Sequence, residues 1–427
     1  MQTNSLEKIT ILGFARSGQA LAELSLARGL EVKVSEAAEA KQFEGSLITR
    51  FKNKGVCFEF GGHNRQFVKD SDIVVVSPGI DTKQGTVKDL LCGLRQPVVG
   101  ELEFASWFIQ GKIIAITGSN GKTTTTSLVY HVLNNFYNNV YLAGNIGYPL
   151  SRFVVDSNPD SIFVIEVSSF QLETIDKFKP DIACLLNLAP DHLDRYQNLK
   201  DYYQAKFNIF KNQDQNQWAL LNRNLADNKD LDNIVKSRKV YFDAEFIDQN
   251  YSAALKIAEL AGIRLEAAKS VLKGFNNLAH RVEAVASIKG VKFINDSKAT
   301  NPAATAWALT KIKGPIILIA GGKDKELDYS LIYPYLEKIK KVNLIGEAAD
   351  KISEVLKNKV KLEKFSSLAD AIKDSYNISQ SQDTVLFSPM CSSFDMFRDY
   401  QHRGQEFKRM VEEIRDSVQS STSDVQR

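Results

Sequence analysis

The sequence predicts an α/β protein of three domains, each a mostly parallel sheet with helices between its strands. Three observations carry that reading. A chain of 427 residues is too long for one hydrophobic core. Apolar runs of strand length alternate with helix-length segments in three series, which begin near Ile9, Ile113 and Val291. The first two series each open on a glycine loop leading from a strand into a helix, the arrangement of doubly wound nucleotide-binding sheets.

The first series has a strand from Ile9 to Gly13, a glycine turn from Gly13 to Gly18, a helix from Gln19 to Arg28 stopped by Gly29, and a second strand from Glu31 to Val34. This βαβ opening is Rossmann-like, and Glu36 stands at the second strand's end, where an acid often meets a ribose. Ala15 takes the place of the middle glycine of G-x-G-x-x-G, so a purely structural turn stays open as a reading. The apolar run from Asp72 to Val76 ends in Ser77-Pro78-Gly79-Ile80, a tight turn placed like a ligand loop at the sheet's carboxyl edge. This domain is expected over residues 1–100.

The central domain, expected over 101–279, is organised by Lys112 to Ser127, where an apolar run breaks into a glycine loop and then a helix. Ile113 to Ile116 read as a buried strand, and Leu128, Val129, Val132 and Leu133 fall on one helical face. Between them, Gly118 and Gly121 let backbone N–H groups turn towards an anion, the helix N-terminus adds positive potential, and Lys122 supplies a fixed charge. Thr123 can ligate Mg²⁺. The first glycine of the P-loop pattern G-x-x-x-x-G-K-[ST] would sit at Ile116, so the loop is the shorter Gly118-Ser119-Asn120-Gly121-Lys122-Thr123. Four consecutive threonines from Thr123 favour helix starting poorly, which suggests that their hydroxyls meet ligand. Strands at Ile162 to Val167 and Ile182 to Leu188 complete a P-loop ATPase-like, doubly wound pattern. A third, Rossmann-like α/β series is expected over 280–427, with strands at Val291 to Ile294, Pro315 to Ala320, Val342 to Ile345 and Thr384 to Phe387. The polar, serine-rich stretch from Ser417 to Arg427 reads as a frayed tail.

Composition narrows the partners. The formal charge is +3 without a dense basic stripe, which favours neither nucleic acid nor an anionic membrane. The four cysteines lie far apart with no C-x-x-C pair, giving neither a zinc site nor a disulfide framework. No basic region precedes an apolar stretch at the N-terminus, and no apolar run is long enough to cross a bilayer. A cytoplasmic protein with small-molecule partners is expected.

Several side chains in this pattern suit phosphate chemistry. Glu166 ends an apolar strand of the phosphate-loop domain, where an acid commonly holds Mg²⁺ directly or through water, although an acid capping a helix fits the same place. Asp191-His192-Leu193-Asp194-Arg195-Tyr196 follows another strand and packs four ionisable side chains into six residues, so His192 is a metal or phosphate candidate. Lys206, among aromatic neighbours on a helix, reads by itself as a snorkelling surface lysine.

Together, Gly118-Ser-Asn-Gly-Lys-Thr-Thr, Gly144-Asn-Ile-Gly, Glu166-Val-Ser-Ser-Phe-Gln-Leu-Glu, Asp191-His-Leu-Asp-Arg-Tyr, His280-Arg281 and Asn295-Asp-Ser-Lys-Ala-Thr-Asn resemble the Mur ligases of bacterial cell-wall synthesis, from Gly13 to Glu406. The Asp191 and Asn295 stretches resemble most the members that add D-glutamate to UDP-N-acetylmuramoyl-L-alanine. The resemblance implies that ATP phosphorylates the substrate's terminal carboxylate and that the amine of D-glutamate attacks the acyl phosphate. Two Mg²⁺ ions would serve the transfer, with Thr123, Glu166, His192 and Lys206 as ligands and Lys206 carrying a CO₂-derived carbamate. That modification would turn a cation into an oxygen ligand. ATP would lie on Gly118, Ser119, Asn120, Gly121, Lys122, Thr123 and Thr124, with Asn250 at the adenine, Arg281 near the phosphates and Asp296 at the ribose. Lys298 would neutralise phosphate charge.

For D-glutamate the resemblance implies Thr300, Lys325, Ser393 and Phe394, with Tyr400 beside them; Lys323 is an adjacent rival to Lys325. For the UDP-sugar it implies Arg16, Ser17, Glu36 and Ser77, with Asn145 at the muramoyl part. Many relatives carry Asp-Thr where this chain has Glu36-Ala37, which puts one hydroxyl contact in doubt. A monomer is expected, with ATP between the second and third domains and the third swinging shut to exclude water. A folylpolyglutamate synthase-like ligase would lack the first domain, and a slow nucleotide switch would not need a set of carboxylate-gripping residues.

Overall fold

The computed structural model describes residues 6–191, 195–243, 248–275 and 278–424, with side chains described as far as 419. Three sheets occur. The first contains β1 (Lys8–Leu12), β2 (Glu31–Glu36), β3 (Cys57–Phe60), β4 (Ile73–Val76) and β5 (Val98–Gly100), all parallel in the order 3-2-1-4-5. The second contains β6 (Lys112–Thr117), β7 (Val140–Gly144), β8 (Ile162–Glu166), β9 (Ile182–Leu185), β10 (Trp218–Asn222) and β11 (Arg238–Phe242), all parallel in the order 11-10-9-6-8-7. The third runs 12-13-17-14-15-16 through β12 (Glu283–Ile288), β13 (Val291–Asn295), β14 (Ile316–Gly321), β15 (Ile339–Ile345), β16 (Leu362–Lys364) and β17 (Thr384–Phe387). Only β12 is antiparallel to its neighbour there, β13.

Continuous apolar strands such as Ile73-Val-Val-Val76, all buried, are what a parallel sheet covered by helices on both faces requires. The helix Lys122–Leu133 buries Leu128, Val129, Val132 and Leu133 against the second sheet, as its periodicity predicts. Ligands of such sheets lie outside the carboxyl ends of strands, where the strand order reverses. In the first sheet that place is the cleft between β1 and β4, and in the second it is the end of β6.

Among the described residues two compact units separate: one holds those before 189 and those of 200–275, the other those of 189–199 and those after 277. The first two sheets therefore share one unit. The helix Glu101–Ser106 joins them through two buried acids. Glu103 accepts the N–H groups of Asp176, Lys177 and Phe178 at 2.8–2.9 Å together with the Trp107 indole. Glu101 accepts the Ser151 amide and hydroxyl on one oxygen, and its other oxygen is buried without a hydrogen-bond partner, so burial raises its carboxyl above the ordinary range. Residues 425–427 lie outside the described residues, and the reading of the stretch from Ser417 as a frayed or disordered tail is corrected as far as Asp424, because the last helix runs Tyr400–Asp424. Its apolar face, with Phe407 and Val411 fully buried against the third sheet, propagates helix into a polar end.

Candidate active site

The phosphate loop leaves β6 through Gly118 (φ 154°) and Gly121 (φ 82°). A Cβ on Gly121 would stand 2.2 Å from Asn250 Oδ1, so only glycine lets the helix Gln249–Leu260 bring Asn250 this close. Asn187 pins the loop: its carbonyl accepts Ser119 N–H at 3.0 Å, and its carboxamide both accepts Asn120 N–H (2.9 Å) and donates to Asn120 O (3.0 Å). Lys122 curls back, its Nζ donating to the carbonyls of Gly118 (2.8 Å) and Ser119 (2.9 Å).

The threonine run is not uniformly a ligand surface. Thr126 Oγ1 donates to Lys122 O and Thr125 Oγ1 to Asn250 Oδ1, while Thr123 is buried and Thr124 half-buried in the helix's first turn. Two of the hydroxyls thus serve the helix and its neighbour.

Lys206 overturns its reading as a surface lysine. It is 1 % exposed on the helix Leu199–Phe207, its Nζ donating to Gly118 O at 3.0 Å and lying 4.4 Å from the Tyr202 ring centroid. Two lysine amines thus converge on one carbonyl of the loop, an arrangement that concentrates positive charge where an anion would bind. Tyr202 joins the same cluster through Ser119 Oγ at 3.4 Å. Glu166 is buried at the end of β8 and accepts from Asn145 Nδ2 at 2.9 Å. The loop, Lys206, Asn250, Glu166 and Asn145 all gather at the carboxyl edge of the second sheet. His192 lies outside the described residues.

In the first sheet, Gly18 approaches the turn so closely that a Cβ would lie 2.0 Å from Gly13 O. Glu36 turns back on that turn, accepting Phe14 N–H (2.6 Å) on one oxygen and Ala38 N–H (2.9 Å) on the other. Ser77 is buried against Gly13, Arg16 is exposed and Ser17 half-buried at the first turn of the helix Arg16–Ala27.

In the other unit, three loops leave the neighbouring strands β13, β17 and β14. The first carries Asp296, Lys298 and Thr300. Asp296 accepts from Ser388 Oγ (2.7 Å) and Val282 N–H (3.2 Å); burial pushes its carboxyl up to about 7 despite those bonds and the nearby Arg281 guanidinium. Arg281 is half-buried between His280 (φ 64°) and Val282 (φ 43°), a turn held by His280 N–H on Glu283 and by Asn295 Nδ2 on the His280 ring. The Lys298 ammonium lies 4.8 Å from the Tyr400 ring centroid, and Thr300 is half-buried.

The loop after β14 separates its two lysines by burial, Lys323 being exposed and Lys325 buried. Lys325 Nζ pairs with Asp191 Oδ1 at 3.0 Å, and Asp191 Oδ2 accepts from Asn301 Nδ2 at 3.0 Å. Asn301 Oδ1 in turn caps the helix Pro302–Lys311. Past β17, Ser393 is buried while Phe394 is 69 % exposed.

Sequence reading missed Asn187, Tyr202 and Arg403. Each is an ordinary residue in an ordinary helix or loop context, with no motif to mark it. Among the described residues, no group of three or more His, Cys, Asp and Glu side chains is gathered to hold a metal ion.

Three family profiles match the chain: Mur ligase MurD-like N-terminal domain over residues 7–93, Mur ligase middle domain over 116–272, and Mur ligase glutamate ligase domain over 280–391. UDP-N-acetylmuramoylalanine–D-glutamate ligase of Thermoanaerobacter sp. (strain X514) is 35 % identical over 452 residues, covering 96 % of this chain and 99 % of that protein. The chain belongs to the Mur ligase family.

This Mur ligase is also 35 % identical over 447 residues to the ligase of the same name from Caldanaerobacter subterraneus, with 96 % and 99 % coverage. Its fold is that of the solved MurF ligase from Thermotoga maritima in complex with ADP, at a TM-score of 0.61 and 18 % identity over 91 % of this chain and 95 % of that one. The expected α/β architecture of three domains is the Mur ligase fold. No helix of the described residues is long and apolar enough to cross a membrane.

Proposed function

We propose that this Mur ligase joins D-glutamate to UDP-N-acetylmuramoyl-L-alanine at the expense of ATP, releasing ADP and phosphate, in peptidoglycan precursor synthesis. The observation that carries the reading is the near full-length identity to ligases of that name. The central loop supports it, because carboxylate activation by ATP brings two anions together and needs concentrated positive charge. Lys122 and Lys206, both donating to Gly118 O, supply that charge beside the N-terminus of the helix Lys122–Leu133.

The family implies Mg²⁺, and the donor set fits a hard cation: the Thr123 hydroxyl belongs to the first turn of the helix that follows β6, and the Glu166 carboxylate ends the adjacent strand β8. When bound, the ion neutralises phosphate charge and orients the phosphate oxygens. For a second ion, His192 and a carbamate on Lys206 are assigned. The support for the carbamate is physical: two like charges crowd one carbonyl, and CO₂ addition replaces one of them by an anion.

The other roles follow the same reading. Asn250, Arg281 and Asp296 bind the nucleotide, while Arg16, Ser17, Glu36, Ser77 and Asn145 bind the UDP-sugar. Lys298 balances charge at the transferred phosphate. Thr300, Lys325 and Ser393 hold the carboxylates of D-glutamate, with Phe394 and Tyr400 closing over it. Holding the neutral amine in line with the activated carbonyl then adds to the rate. The enzyme is further assigned as a cytoplasmic monomer, which light scattering in solution checks.

The deciding experiment follows phosphate release from ATP and Mg²⁺ with UDP-N-acetylmuramoyl-L-alanine present, as single amino acids are added. Release that requires D-glutamate is the expected result. Release with another amino acid would move the protein to a sister specificity, and release independent of both would mark a nucleotide switch.

A further inference from the structure

The side chains assigned to D-glutamate are divided among three loops from distant parts of the chain: Thr300 after β13, Lys325 after β14 and Ser393 after β17. Strand adjacency in the order 13-17-14 brings the loops to one edge but leaves their mutual register open. A single buried side chain fixes it. Arg403, on the helix Tyr400–Asp424, is 1 % exposed and ranks among the largest fully buried side chains.

Its Nε donates to Ser297 Oγ at 3.1 Å. One terminal nitrogen donates to Cys391 O (3.1 Å) and Ser392 O (3.0 Å), the other to Ser297 O (2.8 Å) and Cys391 O (3.1 Å). The Ser392 carbonyl also accepts Lys323 N–H at 3.0 Å, and a Cβ on Gly322 would lie 3.1 Å from an Arg403 terminal nitrogen. The guanidinium therefore holds the first and third loops directly and the second through Ser392. Lysine could not do this, because only a planar fork sends donors in several fixed directions at once.

The hydrogen-bond acceptors are all neutral oxygens, and the Asp395 carboxylate acts on the guanidinium only through space. A buried cation without a hydrogen-bonded carboxylate is costly, and apolar packing of the same volume would stabilise the domain better. The arrangement makes sense if the charge is used by a ligand, and D-glutamate brings two carboxylates.

We propose that Arg403 is the positioning residue of the D-glutamate site: its guanidinium locks the loops of Thr300, Lys325 and Ser393 into one register and places behind them a positive charge that no hydrogen-bonded carboxylate neutralises. The inference rests on the proposed function, and the unmodified enzyme separates the two. If it shows no D-glutamate-dependent phosphate release, the functional reading fails and takes this inference with it.

Given that release, Arg403→Lys keeps the charge and loses the fork. It is expected to raise KM for D-glutamate about tenfold or more while KM for ATP and for the UDP-sugar stays within about twofold. Arg403→Met, which also removes the charge, is expected to raise it further. An unchanged KM for D-glutamate, or a parallel rise in all three constants, overturns the proposal in favour of a merely structural arginine. Should the Arg403 variants not fold, Ser297→Ala decides, since it removes one Arg403 acceptor, together with the Ser297 hydroxyl's bond to Tyr400 O (2.8 Å) at the start of the same helix, and leaves the charge. A rise of about threefold in KM confined to D-glutamate supports the lock, and no change overturns it.

Discussion

At the scale of single residues, burial changes what the side chains can do. Asp296 illustrates this, because its carboxyl is pushed from 3.8 to about 7 by desolvation. A folded-state value above the unfolded one favours the protonated folded form, so this contribution to stability is complete below about pH 4 and is lost as pH rises through about 7. Asp296→Asn keeps the shape without the titrating proton. We expect the wild-type stability, measured relative to this variant by urea midpoint, to fall across that window by an amount on the order of a few kcal/mol. A flat difference would show that the carboxyl titrates normally. Lys206 is the second case. We expect Lys206→Ala to lose at least about a hundredfold in kcat and to recover partly with added short carboxylic acids, which would stand in for a carbamate. Lack of recovery would leave Lys206 as a loop-stabilising amine on Gly118 O. The family resemblance singled out both residues, Lys206 as a metal ligand and Asp296 at the ribose, but the burial of either side chain was not visible in the sequence, where Lys206 by itself looked like a surface lysine.

At the scale of elements, the strand–loop–helix of the phosphate site was legible because its parts are local. Apolar Ile113 to Ile116, glycines at the turn and a helical face from Leu128 to Leu133 all act over a few residues, and each fell where the periodicity placed it. What holds the loop was not legible. Asn187 and Asn250 reach it from sequence separations of 67 and 125 residues. This makes a discriminating test possible. Gly121→Ala adds a Cβ that collides with Asn250 at 2.2 Å as well as straining a φ of 82°. Gly29→Ala strains a φ of 76° in open space. Both should lose about 1–2 kcal/mol from the left-handed backbone, but only Gly121→Ala should lower kcat/KM for ATP, by about tenfold or more. Equal effects on ATP would remove the loop from the nucleotide site.

At the scale of the molecule, each sheet gathers its candidate residues at the carboxyl ends of its strands, and the first two sheets act as one unit through the helix Glu101–Ser106. Glu103 carries much of that junction, since its carboxylate accepts three consecutive backbone N–H groups and an indole. Glu103→Gln turns two of the acceptor positions into donors facing donors. We expect a loss of about 2–4 kcal/mol in unfolding free energy, measured by urea denaturation. Unchanged stability would mean that the loop at 176–178 relaxes around the amide.

The sequence by itself determined the three α/β series, the phosphate loop and the family resemblance, because periodicity, turn glycines and motif spacing are properties of neighbouring residues. It also marked Glu166 as a strand-end acid for the same reason. Tertiary structure alone decided which polar side chains are buried and what they touch. It put Lys206 on the loop rather than in solvent, chose Lys325 over Lys323 as the buried amine and paired it with Asp191, turned Glu36 onto the Gly13 turn, and made Arg403 the hub of three loops. Burial and long-range hydrogen bonding depend on which strands become neighbours, and no local pattern in the chain encodes that order.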